Sequence, residues 1–270
     1  MARLLGFSRA EFYRGSDAIA ERDQALRDEI HAIALDWPRY GYRTISRELR
    51  RRGWVVNEKR VRRIMRQDGL ICRRRKARGL PYRRHGLTTY PNLAATYTPT
   101  GIDQLWVADF TYVRLFGAFI FVAVILDAYS RRCVGWAIAN HYRTELTLAA
   151  LEMALCRRQP PRGLIHHSDR GCQYAAEDYV QLLLAHGAKI SMSRPARPAD
   201  NAVCERFMRT FKEEEIQMRD YLDLADAHKS IARYLEVTYN QRRLHSAIGY
   251  VPPAEFERVH LEPNLLSTPA

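Results

Sequence analysis

The chain has 270 residues, 47% of them hydrophobic, and a formal net charge of +13. Five cysteines with no CxxC or other finger spacing exclude a disulfide-stapled or zinc-finger scaffold. The longest apolar run, residues 115–126, is too short to cross a bilayer as a helix. The amino terminus is polar and charged, so no signal peptide is read there, and the expectation is a cytoplasmic protein with free thiols and no membrane partner.

The charge is concentrated. Between Arg39 and Arg84 stand eighteen basic residues and three acidic ones, an excess larger than that of the whole chain. Such a block repels itself unless an anion covers it, which favours nucleic acid over an anionic membrane surface or a merely basic face.

In chain order, residues 18–36 read as a helix, with Leu26, Ile30, Ile33 and Ala34 at helical spacing. A second helix carries Ile45 and Leu49 and stops at Gly53. A third starts after Asn57, a capping residue, buries Val61, Ile64 and Met65, and ends at Gly69. Two short helices with basic outer faces resemble a helix-turn-helix module, so residues 1–70 are expected to form a DNA-binding region. Arg39, Arg43, Lys59, Arg60 and Arg63 are its candidate contacts. Residues 71–100, with Arg73, Arg74, Arg75 and Lys76, read as a basic linker or an arm that orders on nucleic acid.

From residue 101 the pattern changes. QLWVADFTYVRL, FIFVAVILDAYS and RRCVGWAIAN read as three strands whose short connections imply an antiparallel meander. Then ELTLAALEMALCRR reads as a helix, RGLIHHSD as a strand, AEDYVQLLLAHG as a helix and AKISMS as a fifth strand. Helices over 200–218 and through DAHKSIARYLEVTYN follow. This order predicts an α/β domain with a mixed five-stranded sheet flanked by helices over 101–258, and a tail from 259 to 270.

Asp109 lies inside the first strand and Asp169 directly follows the fourth; Glu205 lies on the helix after the fifth. A carboxylate in an apolar sheet is costly, and two or three together raise one another's pKa. A divalent cation relieves both costs, and a pair of such ions suits phosphoryl transfer. Singly, each residue has a blander reading: an edge position for Asp109, a turn cap for Asp169, a surface ion pair for Glu205. Asp127 reads as a cap. His166 and His167 alternate across a strand and cannot share one ion; His167, two positions before Asp169, is expected to face the carboxylates.

The segments WPRYGYRTI, NEKRVRRIMRQDGL, WVADFTYV, LDAYSRR, HHSDRGCQY, SMSRPARPADNAVCERFMRTFKEE and YNQRRLHSAIGYVPPAEF, spread over residues 37–256, together resemble the second-reading-frame product of bacterial insertion sequences, transposases whose core is similar to retroviral integrase. The resemblance implies an RNase H-like fold and a catalytic, Mg²⁺-binding triad at Asp109, Asp169 and Glu205, with 35 residues between the last two. Mn²⁺ would substitute, and two ions are implied. Asp200 and Asn201 would shape the loop and helix start. Lys212, Arg242, Arg243 and His245 would touch DNA, with a structural turn as the alternative for YNQRRLH.

The implied activity is cleavage at transposon ends and strand transfer into double-stranded DNA, by a nucleoid-associated homo-oligomer in a synaptic complex. An upstream-frame DNA-binding protein, separate or fused, would recognise the ends. A nuclease that does not join strands, a DNA-binding regulator and a chromosome-coating protein are the alternatives. One departure is SerArgProAlaArgPro at 193–198, where the family carries a glycine-asparagine pair; proline should stiffen that loop.

Overall fold

A computed structural model describes residues 16–71, 88–195 and 197–261, with backbone alone for 16–22 and 198. Two compact units divide between Lys76 and Ala77.

The first unit holds helices α1 (Ser16–Asp36), α2 (Tyr42–Arg51) and α3 (Glu58–Gln67). Their apolar faces are those the periodicity picks: Leu26, Ile30 and Ile33, then Ile45 and Leu49, then Val61, Ile64 and Met65, all buried. Ala34 is only half-buried. Asn57 caps α3, its side-chain oxygen accepting from the Lys59 amide at 2.8 Å, a contribution of about 1 kcal/mol. Gly53, just past α2, has φ +87°, a left-handed turn that glycine takes without strain.

The second unit is built on a five-stranded sheet of order β3-β2-β1-β4-β5. Strands β1 (Leu105–Leu115), β2 (Ala118–Asp127) and β3 (Cys133–Ala139) form the antiparallel meander. Strands β4 (Ile165–Ser168) and β5 (Lys189–Met192) run parallel to β1. Parallel neighbours need crossovers, and the helices α4 (Thr144–Arg158) and α5 (Glu177–Ala185) supply them.

Side-chain alternation along β1 divides the core in two. Leu105, Val107 and Val113 meet Phe207 and Phe211 of α6 (Ala202–Phe211), Ile231 of α7 (Leu224–Arg233) and Tyr239. Trp106 and Ala108 meet Leu146, Ala150 and Leu151 of α4 and Tyr179 and Leu183 of α5. The central strand is therefore apolar on both faces, which sets the cost of placing a carboxylate in it. At Gly135 of β3 a Cβ would lie 2.2 Å from the Ala150 carbonyl, so α4 can approach that strand only over a glycine.

Three features go beyond the periodicity. Helices α6 and α7 run on as π-helical stretches, Lys212–Ile216 and Tyr234–Arg242. A final helix, α8 (Pro253–Leu261), reaches past residue 258. Its buried Glu257 accepts from Ser130 Oγ, Arg132 and Arg158. Within the expected linker, Leu93 and Ala94 pack on the sheet domain and their amides donate to Ser191 Oγ. Asp127 is the cap that was expected, accepting from the amides of Asp103, Tyr129 and Ser130.

Candidate active site

Register brings the first two carboxylates together. In the β1–β4 pairing Leu105 lies opposite Ile165, Trp106 opposite His166 and Val107 opposite His167. Carrying that register two residues further puts Asp169, just past the end of β4, across from Asp109. Strands so paired lie about 4.8 Å apart. The Asp109 carboxyl feels this: burial pushes its pKa up to about 7, and the charges of Asp169 and then Glu205 push the same way. The Phe110 amide, which donates to Asp109 Oδ1 at 2.8 Å, and the Lys212 ammonium oppose the rise. Dense packing surrounds the carboxyl, yet the residue keeps some solvent contact, as does Asp169.

Asp169 is fixed by its own loop. Its Oδ1 accepts from the Gly171 amide at 2.9 Å. A Cβ at Gly171 would lie 3.0 Å from that oxygen and 3.1 Å from Gln173 Oε1, so a larger residue there would press on the Asp169 carboxylate. Glu205 is exposed on α6, whose opposite face buries Cys204, Phe207, Met208 and Phe211.

Asp200 and Asn201 sit in the short 3₁₀ turn Pro198–Asn201 that opens α6. Asp200 accepts from the Arg194 guanidinium at 2.7 and 2.9 Å, from the Arg194 amide at 2.9 Å and from Asn92 Nδ2 at 2.8 Å. The Arg194 side chain and then its amide hold the Asp200 carboxyl well below the usual carboxylate range. The arginine-proline loop is thus tied at both ends. Asn201 is buried and its Nδ2 donates to the Ala108 carbonyl at 3.0 Å.

Two buried polar atoms beside these carboxylates have no hydrogen-bond partner among the described residues: Asn201 Oδ1 and the Tyr174 hydroxyl. The Tyr174 pKa is raised well above the ordinary value by burial, then by the charges of Asp109 and Asp169, so the phenol stands near both. The motif HHSDRGCQY carries this tyrosine, but nothing in a sequence says that a hydroxyl is left without a partner.

Several expected residues are tied up within the fold. By alternation His167 is on the same sheet face as Asp109 and Asp169, but it is fully buried, with Nδ1 at 2.8 Å from Ser191 Oγ and Nε2 at 3.0 Å from Ser193 Oγ. Burial pushes its pKa down to about 4, so it is a neutral pin between β4 and β5. His166 is buried too, against the Tyr179 hydroxyl at 3.0 Å. Arg243 is not a free DNA contact. Its guanidinium grips Glu214 through Nε and Nη2 at 2.8 Å, with both side chains largely buried. His245 is buried against the Tyr239 ring, 4.7 Å between centroids, and burial drives its pKa well below the ordinary value. Asn240 of the same segment exchanges two hydrogen bonds with the Cys133 backbone at 2.9 Å. Within YNQRRLH, then, Asn240, Arg243 and His245 are engaged inside the fold, while Arg242 is exposed.

Lys212 stands near Asp109, as its effect on that carboxyl shows, and its Nζ lies 5.9 Å from the Tyr112 ring centroid. In the first unit Arg43, Lys59 and Arg63 are exposed, Arg39 is half-buried and Arg60 pairs with Asp23. Arg73, Arg74, Arg75 and Lys76 lie outside the described residues.

The donors at the candidate site are carboxylate oxygens, which suit a hard divalent cation. Among the described residues no three His, Cys, Asp or Glu side chains gather into a group that could hold a metal ion. The register instead carries Asp169 across from Asp109, and Asp109 feels the charge of Asp169 more than that of Glu205. That fits a cation held by one or two carboxylates and completed by water and phosphate oxygens, the usual mode for Mg²⁺.

Residues 99–198 match the family described as Integrase core domain, residues 186–253 a second family of that description, and residues 21–78 an HTH-like domain. The 31 kDa protein of insertion element IS600 from Shigella sonnei is 37% identical over 269 residues, covering 96% of this chain and 98% of that protein. Transposase InsF of insertion sequence IS3A from Escherichia coli (strain K12) is 36% identical over 271 residues, covering 97% of this chain and 94% of that one. Among solved structures, the HTLV-2 integrase catalytic core domain in complex with magnesium has a TM-score of 0.46 at 16% identity, over 57% of this chain and 96% of that one.

Proposed function

Because the chain belongs to the IS3/IS600 family of insertion-sequence transposases, DNA-acting enzymes with an integrase-like core, we propose that it cleaves a phosphodiester at each transposon end and transfers the freed 3′-OH into target DNA. The observation that carries this reading is the placement of Asp109 within a central apolar strand, with Asp169 just past the end of the parallel neighbour, where burial and then the Asp169 charge push the Asp109 pKa up to about 7. Carboxyls perturbed by burial and a like charge concentrate at functional sites, which supports the reading.

Asp109 and Asp169 would hold Mg²⁺ or Mn²⁺, with Glu205 serving a second ion. When bound, such ions neutralise the phosphate oxygens and stabilise the charge that develops on the attacking and leaving oxygens. The chain's own residues supply the rest. The Asn201 amide holds the opening of α6 against β1, which fixes Glu205 relative to Asp109. Lys212, beside Asp109, takes a backbone phosphate. Arg43, Lys59 and Arg63 add sequence-independent grip from the helical unit.

Two ends must be held for a paired reaction, so a homo-oligomeric synaptic complex is part of the proposal. So is recognition of the ends by an upstream-frame protein, separate or fused. The chain would work on the nucleoid in the cytoplasm. Among the described residues no helix is long and apolar enough to cross a membrane.

The test is strand joining on a pre-cleaved, labelled end duplex taken from the inverted repeats flanking the gene, with Mg²⁺ or Mn²⁺. Wild type and Asp169→Asn are compared, each alone and fused to the upstream protein. Joined product from wild type and none from the variant is expected. Cleavage without joining would replace the reading with a nuclease. Neither reaction in any form, with DNA binding unchanged by the mutation, would leave a DNA-binding regulator.

A further inference from the structure

The β1–β2 hairpin outruns its neighbour. Strand β4 ends at Ser168, while β1 continues to Leu115 and pairs only with β2 over its last residues. This two-stranded ribbon carries three exposed aromatic residues. Tyr112 is 49% exposed, Phe119 53% and Phe116, at the turn, 99%. Cross-strand register puts Tyr112 opposite Phe121 and Arg114 opposite Phe119, so these four share one face. The Tyr112 and Phe119 rings meet edge to face at 5.8 Å.

A cation links this face to the carboxylates. The Lys212 ammonium stands over the Tyr112 ring at 5.9 Å and also lowers the Asp109 pKa. Alternation sends Asp109 and Tyr112 to opposite faces of β1, and among the described residues the strand has no partner on the β4 side there, since β4 ends at Ser168. Tyr112 follows Asp109 by three residues, about 10 Å along the strand, and the unpaired edge beyond β4 is the way by which a nucleotide neighbouring a phosphate at Asp109 would pass to the ring face, with Lys212 beside it.

We propose that the hairpin is a stacking platform for an unpaired DNA base next to the reacting phosphate, with Tyr112 and Phe119 taking the base and Lys212 and Arg114 its phosphates. Exposed rings interleaved with cations match single-stranded nucleic acid, since every base offers a π-face and every link a negative charge. A base inside a duplex keeps its faces covered, so the partner is an unpaired nucleotide. A second copy of this chain could cover the rings but would gain nothing from the flanking cations. The inference rests on the DNA-acting reading above and adds a location for the strand end.

The experiment uses the full chain without divalent metal. Its probes are a blunt duplex and the same duplex with a three-nucleotide single-stranded overhang bearing 2-aminopurine. Wild type should bind the overhang probe roughly tenfold more tightly than the blunt one and quench the 2-aminopurine. Tyr112→Ala with Phe119→Ala should lose both effects while binding the blunt duplex as wild type does, which also reports an intact fold. Tyr112→Phe with Phe119→Tyr should keep both. Equal affinity of wild type for the two probes, or quenching that survives the alanine pair, overturns the platform. So does an alanine pair that keeps the overhang preference but sediments as a smaller species, which would assign the rings to a contact between copies. Because no metal or joining is involved, a chain that quenches but never joins refutes the catalytic reading alone, and one that joins without preferring the overhang refutes the platform alone.

Discussion

The Asn201 side-chain amide donates to the Ala108 carbonyl at 3.0 Å, joining the turn that opens α6 to the residue immediately before Asp109. Glu205 lies one helical turn further on, so this bond helps set the separation of two carboxylates that are 96 positions apart in the chain. Asn201→Ala should slow joining by about 10- to 100-fold, the range typical for residues that orient ligands, with DNA affinity unchanged. Asn201→Asp should be slower still, because it cannot donate and adds an anion beside three others. Single-turnover joining and fluorescence anisotropy would measure the two quantities. A wild-type rate in the alanine variant would remove Asn201 from the site.

The raised pKa of Asp109 makes a prediction about stability. In the folded chain this carboxyl keeps its proton up to about pH 7, whereas unfolded it loses it near the ordinary value of 3.8. Between those values the folded state binds more protons, so stability falls as pH rises through the window and stays reduced above it. Asp109→Asn mimics the protonated form and should raise the Tm at pH 8 by about 5–10 °C without divalent metal, with the gap closing toward pH 4. Adding Mg²⁺ at pH 8 should raise the wild-type Tm much more than the variant's. Calorimetry across that pH range checks both, and a variant less stable than wild type at pH 8 would contradict the electrostatic account.

Most of the architecture was legible because it rests on local pattern. The aromatic and β-branched run around Asp109, the stripe through Val61, Ile64 and Met65 and the stop at Gly53 each carry their structure within a few residues. What was not legible depended on partners distant in sequence. Nothing near His167 announces that Ser191 and Ser193 will hold both ring nitrogens, and nothing near Arg243 announces Glu214, 29 positions earlier. The same is true of Glu257, whose partners Ser130, Arg132 and Arg158 stand about 100 positions or more earlier in the chain. Asp109, Asp169 and Glu205 could be singled out as candidates from motifs, yet the register that carries Asp169 across from Asp109 is a property of the sheet alone.

Arginines that look alike in the sequence should separate into two groups by measurement. Arg243 forms a largely buried pair with Glu214, which also accepts from the Tyr234 hydroxyl. Arg243→Ala would strand that carboxylate and should cost about 2–4 kcal/mol in urea unfolding. If the variant remains folded, the salt dependence of its DNA binding should be unaltered. Arg63→Ala, on an exposed face of α3, should leave stability within about 0.5 kcal/mol and reduce the slope of log K against log[salt] by about 1. The opposite pattern would restore Arg243 as a DNA contact.

The Tyr174 hydroxyl is buried, has no partner among the described residues, and lies in the field of Asp109 and Asp169. An unsatisfied buried hydroxyl costs about 1–3 kcal/mol. Tyr174→Phe removes that cost and keeps the ring contacts with Phe110 at 6.4 Å and Tyr179 at 5.5 Å. The variant should therefore be about 1 kcal/mol more stable. If the cost is retained because the phenol donates to a phosphate or water at the carboxylates during reaction, the same variant should join strands more slowly, by roughly tenfold for one lost hydrogen bond. Urea unfolding and single-turnover joining on one preparation test the pair of outcomes. Greater stability with an unchanged rate would make the hydroxyl idle, and lower stability would mean that it is bonded in solution after all.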